Sequence, residues 1–144
     1  MQFRTIALSA VLAFVSSAQG VTLSYDRSYD NGSASLNTVA CSDGANGLIT
    51  RGFTTFGSLP KFPFIGGAVN VAAWNSPNCG TCYELTYTNS TGGTKSINIL
   101  AIDVSKAGYN IALGAMEVLV GPQAVALGRV EVAVRQVGAN VCGL

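Results

Sequence analysis

The chain contains no histidine. That absence excludes the Ser-His-Asp triad, the Cys-His nucleophile pair and any His-ligated zinc or copper centre. Charge is scarce as well, with eight basic and seven acidic side chains in 144 residues and a net of +1. So nearly neutral a chain has no electrostatic footprint for nucleic acid or for an anionic membrane, and uncharged ligands suit it better than ionic ones. General acid–base chemistry would fall to Asp26, Asp30, Asp43, Glu84, Asp103, Glu117 or Glu131, or less readily to a tyrosine or lysine. Tryptophan occurs once, at Trp74. Without a row of aromatics, strong binding to a flat crystalline surface is not expected.

Long apolar runs are also missing after residue 20, so nothing there is long enough to span a bilayer. The first twenty residues are different. Arg4 supplies a positive start, Ile6 to Val15 form an apolar run too short for a span, and Ala18-Gln19-Gly20 supplies small residues before a cut. This is the pattern of a secretory signal peptide. Residues 1–20 are therefore expected to be removed, and residues 21–144 to form one extracellular domain with a single core.

What is present in a telling number is cysteine: Cys41, Cys79, Cys82 and Cys142, all beyond the signal segment. Four cysteines in a small secreted domain read as two disulfides with three connectivities. A redox Cys-x-x-Cys would place a helix after its first cysteine to depress the thiol pKa. Instead, Tyr83 to Thr88 alternate like a strand. Two structural staples are expected, and neither a metal nor a cofactor. Spacing alone leaves open Cys41–Cys79 with Cys82–Cys142, and Cys41–Cys82 with Cys79–Cys142.

Along the rest of the chain, strands are expected over Val21 to Tyr25, Gly47 to Phe53, Gly67 to Ala73, Cys82 to Thr88, Ser96 to Ile102 and Arg129 to Arg135. Ser35 to Ala40 suits one or two helical turns. Asn89 to Thr94 suits a hairpin turn. Asn110 reads as the N-cap of a helix over Ile111 to Leu119, stopped at Gly121-Pro122. Many short strands with one convincing helix point to a small barrel or sandwich. Asn31-Gly-Ser33 and Asn89-Ser-Thr91 match the N-glycosylation pattern, both in expected turns.

Ser24-Tyr-Asp26, Cys41-Ser-Asp-Gly44, Phe64-Ile-Gly-Gly67, Ala73-Trp-Asn-Ser76, Cys79-Gly-Thr-Cys82, Ala101-Ile-Asp103, Tyr109-Asn-Ile-Ala112 and Asn140-Val-Cys-Gly143 follow one another in this order. Together they resemble the cerato-platanin family of small secreted fungal proteins, over essentially all of residues 21–144. The resemblance implies a mainly β fold, a six-stranded double-psi β-barrel with short peripheral helices, shared with the first domain of expansins and with some endoglucanases. It also implies the pairing Cys41–Cys79 and Cys82–Cys142. It further implies a non-catalytic protein of the fungal cell wall and extracellular space. Such a protein would bind chitin-type N-acetylglucosamine oligomers or other wall polysaccharide, loosen cellulose-like material without hydrolysis and elicit plant defence through a host receptor. A monomer is expected, with self-assembly at interfaces.

The matching positions nominate Tyr25, Asp43, Asp103, Asn110 and Gln123 as carbohydrate-binding. Asparagine and aspartate suit sugar hydroxyls and N-acetyl groups, and tyrosine offers a flat face to a pyranose. Each has a plainer reading: Tyr25 as a strand anchor, Asp43 as an Asx turn, Asp103 as a cap on the loop after its strand, Asn110 as the helix N-cap. Trp74 is expected in the core beside the disulfides rather than as a sugar platform. Family members often carry histidine after the Ala-Ile-Asp motif, where this chain has Val104. Hydrolysis would need two carboxyl groups flanking the bond, and only Asp103 is well placed, so binding is expected rather than cleavage. The competing reading is a surface-active, self-assembling structural protein, and less favoured still a weak hydrolase.

Overall fold

Six strands form where β-branched and aromatic residues alternate with polar ones or run together: β1 Val21–Tyr25, β2 Ile65–Ala68, β3 Cys82–Thr88, β4 Thr94–Val104, β5 Tyr109–Ile111 and β6 Arg129–Val137. In the computed structural model, which describes residues 20–144, they close into one barrel in the order β1-β5-β2-β4-β3-β6. The pairs β1·β5 and β2·β4 are parallel, and the other four are antiparallel. The expected six-stranded, mainly β barrel is thus the fold. The expected signal segment, Gly20 apart, lies outside the described residues.

Burial follows the period of two. Along β6, Val132 is buried and Val130 and Val134 are partly so, while Arg129, Glu131, Ala133 and Arg135 face water. In β4 the run Ile99–Ile102 is buried throughout, as suits a strand covered on both faces. Leu23, Ile65, Leu85, Ile99 and Ile111 meet with Met116 in the core. Disulfides join Cys41 to Cys79 and Cys82 to Cys142, all four buried. Among the described residues no helix is long and apolar enough to cross a membrane.

Three sequence expectations are corrected. Residues 47–53 are not a strand. The amides of Arg51 and Phe53 both donate to Leu48 O, and that of Gly52 to Ile49 O, so the chain coils into successive turns. Leu48 is buried by its apolar character without a strand. The small-residue strand lies at Ile65–Ala68, earlier than expected, because Val71 N turns back onto Ala68 O. Asn110 is no helix cap. It lies within β5, and the helix begins later, as α1 Leu113–Val120, followed by a short α2, Ala124–Leu127.

The first amides of α1 are satisfied from far away. Ala112 precedes the helix and has no capping side chain. Instead, Asp30 accepts from Leu113 N and Gly114 N, each at 2.8 Å. Asp30 sits in a 3-10 turn, Arg27–Asp30, which Asp26 itself caps through Ser28 N. The carboxylate thus satisfies two orphan amides and the positive end of the helix dipole. Asp30→Ala is expected to cost about 1–2 kcal/mol in urea denaturation, with Asp30→Asn retaining part of the cap.

Candidate functional site

Barrel register sets four polar or bare positions side by side. Ser24 on β1 pairs with Asn110 on β5, Asn110 pairs with Gly67 on β2, and Gly67 pairs with Asp103 on β4. Neighbouring strands lie about 4.8 Å apart, so Asn110 and Asp103 flank a strand with no side chain between them. Gly67 cannot be larger here. A Cβ would fall 2.7 Å from Val104 O and 3.4 Å from the Tyr29 hydroxyl. A β-bulge between Gly66 and Gly67 adjusts the register at this point.

Asp103 is held on all sides. Its Oδ1 accepts from Val104 N at 2.8 Å and Ala40 N at 3.0 Å, and its Oδ2 accepts from the Tyr29 hydroxyl at 2.9 Å. Three donors occupy three of roughly four lone-pair sites. The carboxylate therefore both fixes the loop before Cys41 and leaves one acceptor position towards solvent. It lines an open cleft of about 400 Å³ with Asp26, Ser28, Tyr29, Asn31 and Thr38. Asn110 turns its Oδ1 to Ser24 Oγ at 3.0 Å, and its Nδ2 donates to no described residue.

Tyr29 is buried, and its phenol is pushed well above the usual tyrosine range. Burial contributes most, then the charge on Asp103, the hydrogen bond to it and the charge on Asp26. Tyr109, donating to Asn70 Oδ1 at 2.7 Å, is pushed up to about 12 by burial and by Tyr83. In the unfolded chain both would ionise near pH 10. Above that pH the unfolded state binds fewer protons than the folded one. Stability contributed by the protonated phenols is therefore whole below about pH 10 and is lost as pH rises, for Tyr109 through about 12. The unfolding free energy between about pH 10 and 12 should fall by up to about 1.4 kcal/mol per pH unit for each tyrosine. Tyr109→Phe should flatten the slope.

The other nominated residues lie elsewhere or play local parts. Tyr25 ends β1 next to Ser24 and carries the Arg27 guanidinium 5.9 Å from its ring centroid. Exposed Asp43 accepts from Trp74 Nε1 at 2.7 Å. Gln123 bonds Val120 O at 2.7 Å and lines a separate cavity of about 320 Å³ with Tyr87, Asn89, Lys95 and Val118. Of the five, Asp103 and Asn110 are joined by the barrel register, with Tyr25 at their edge. Asn31 lines the Asp103 cleft. Asn89 Oδ1 accepts from Thr91 N, Thr91 Oγ1 and Gly93 N within its turn.

Trp74 corrects an expectation: it is 58% exposed and lies outside the core. Its flanks, Asn75-Ser-Pro77 after and Ala72-Ala73 before, carry turn and small residues that mark a surface loop. Tyr29 is not nominated by the sequence, and Asp30 figures there only among the available acids, not as the cap of a helix. They lie in a polar, turn-rich stretch whose partners are over 70 positions away.

Chemically, Asp103 can accept from an uncharged polar ligand and Asn110 Nδ2 can donate to one, and of the row it is Asp103 that lines the open cleft. Asp26, the second carboxylate of the cleft, accepts from Ser28 N through its Oδ1 at 2.8 Å. Among the described residues no three potential metal ligands cluster.

A family model described as cerato-platanin matches residues 21–144. The heat-stable 19 kDa antigen of Coccidioides immitis is 45% identical over 142 residues, covering 96% of this chain and 94% of the antigen. The crystal structure of cerato-platanin 2 from M. perniciosa superposes with a TM-score of 0.82 at 51% identity, covering 88% of this chain and all of that one. The solution structure of the fungal elicitor cerato-platanin does so at 0.72 and 38% identity, covering 85% and 96%.

Proposed function

The chain belongs to the cerato-platanin family, and from that premise we propose that it is a secreted, non-catalytic carbohydrate-binding protein of the fungal wall and extracellular space. The ligand class is chitin-type N-acetylglucosamine oligomers or a related wall polysaccharide. Expansin-like loosening of wall material and recognition by plant hosts belong to the same reading, and the elicitor among its structural neighbours supports the second. The observation that carries the proposal is the row Asn110–Gly67–Asp103. Asp103 opens onto the cleft it shares with Asp26, Ser28, Asn31 and Thr38, where a pyranose can approach, and Asn110 presents its amide two strands away across buried Gly67. A donor on one side and an acceptor on the other meet the sugar's N-acetyl and hydroxyl groups. The carboxylate is tied into the scaffold as a triple acceptor, which favours holding a sugar over cleaving a glycosidic bond.

The test is a titration of the oxidised domain with N-acetylglucosamine oligomers and cello-oligomers, followed by amide chemical shifts. Saturable shifts at Asp103, Asn110 and Gly67 are expected, with no reducing ends released on long incubation. No shift with any oligomer would remove the binding reading. Release of reducing ends that Asp103→Asn abolishes would replace it with hydrolysis.

A second reading, interfacial self-assembly, draws on exposed Val118, Val125 and Leu127 on and beside the two helices. Surface tension lowered equally with and without sugar would favour it.

A further inference from the structure

Trp74 is the only aromatic residue among the large exposed hydrophobics of the described chain. Exposing an indole forfeits apolar burial, yet this one is held in place. Its Nε1 donates to Asp43 Oδ1 at 2.7 Å. One edge rests over Gly44, where a Cβ would stand 3.0 Å from Trp74 Cζ2 and where φ is +81°. The next residue, Asn75, has φ of 59°, the one non-glycine residue with positive φ among those described. Its side chain accepts from Asn46 N at 2.9 Å and its carbonyl accepts from Asn46 Nδ2 at 3.0 Å. The Cys41–Cys79 disulfide closes the base of the same two loops. A single aromatic side chain is thus fixed on a rigid loop pair with a face open to solvent.

We propose that Trp74 and Asp43 form a second glycan-binding platform, separate from the Asp103 groove, that stacks one ring of a neutral β-linked oligosaccharide. The inference rests on the carbohydrate reading above and extends it to another face. The apolar C–H face of a gluco-configured pyranose matches the size and flatness of an indole. Both donors that reach Asp43 go to its Oδ1, from Trp74 and, at 3.4 Å, from Ser42. Its Oδ2 accepts from no described residue, which leaves it for a sugar hydroxyl. The same carboxylate repels phosphates, so stacking on a nucleic acid base is disfavoured. With the indole already held, little side-chain freedom is lost on binding. One tryptophan without a neighbouring aromatic row fits a chain end or a single loose strand, not a crystal face.

Trp74 is the only tryptophan in the chain, so intrinsic emission reports this site alone. Titration of the wild-type oxidised protein with chitohexaose and with cellohexaose should shift the emission to shorter wavelength, saturably, and protect it from acrylamide quenching. Asp43→Ala should weaken that response about fivefold through loss of the indole anchor. Trp74→Ala should abolish amide shifts at Asp43, Gly44 and Asn75, with Trp74→Phe restoring part of them. In Trp74→Ala, shifts at Asp103 and Asn110 should persist. Emission unchanged at saturation while Asp103 amides shift overturns the platform and spares the groove. Emission that responds with no shift at Asp103 supports the platform and removes the groove. Silence at both overturns both.

Discussion

Replacing Cys82 and Cys142 together by alanine should lower the stability of the oxidised domain by about 4 kcal/mol. These cysteines lie 60 positions apart, and their bond ties the start of β3 to the C-terminal 3-10 turn Ala139–Cys142. Without it, the unfolded chain regains the freedom of a loop containing β4, β5, both helices and β6. The cost rises only with the logarithm of loop length, so the shorter 38-position link of Cys41–Cys79 should be worth nearly as much. Both sulfurs are buried, so alanine also leaves a small cavity beside β3. The melting temperature should drop by about 10–20 °C. A drop of only a few degrees would mean that the terminal turn is held by its backbone hydrogen bonds alone.

The second large effect is expected at Asp103. Removing its carboxylate with alanine strands the buried Tyr29 hydroxyl and the amides of Ala40 and Val104. Orphaned buried donors cost about 1–3 kcal/mol each, and since Val104 N can turn to water while the Tyr29 hydroxyl and Ala40 N are at least partly buried, a loss of about 2–3 kcal/mol is expected in urea denaturation. Asparagine should be much milder. Its Oδ1 can still accept from both amides, and the Tyr29 hydroxyl can rotate to accept from Nδ2. That difference separates scaffold from ligand contact. If Asp103→Asn folds within about 1 kcal/mol of wild type yet no longer shifts with sugar, Asp103 touches the ligand. If it binds as wild type does, its part is confined to holding Tyr29 and Ala40.

Much of the barrel could be read from the residues alone. Strands β3 and β6 follow from alternation that survives folding, since each has one face towards the core, and β4 follows from an apolar run covered on both faces. The failures share a cause. Leu48-Ile49 looked like a strand because apolar residues adjoin there, but their carbonyls are consumed by local turns. Asn110-Ile111 reads as the start of a helix because Asn110 is a good cap by type. Its backbone is instead claimed by β1 and β2, which lie far away in sequence. The true cap, Asp30, is invisible to any local window for the same reason. Of the candidate site, Asp103 and Asn110 could be nominated one by one, but their relation through Gly67 is a property of closure. Trp74 was misjudged by residue type: indoles are mostly buried, and the two asparagines that hold this one outward act across a gap of 29 positions.

The strand order carries a consequence for how the protein is made. β1 is the first strand to emerge, and its only partners are β5 and β6, the last two. Through nearly all of synthesis its two edges therefore have no native neighbour, and the barrel cannot shut until the final strand is out. Such an edge is open to pairing with other nascent chains. Production of this protein should then be limited less by the stability of the finished barrel than by how well its opening strand is shielded while the ribosome completes the end of the chain.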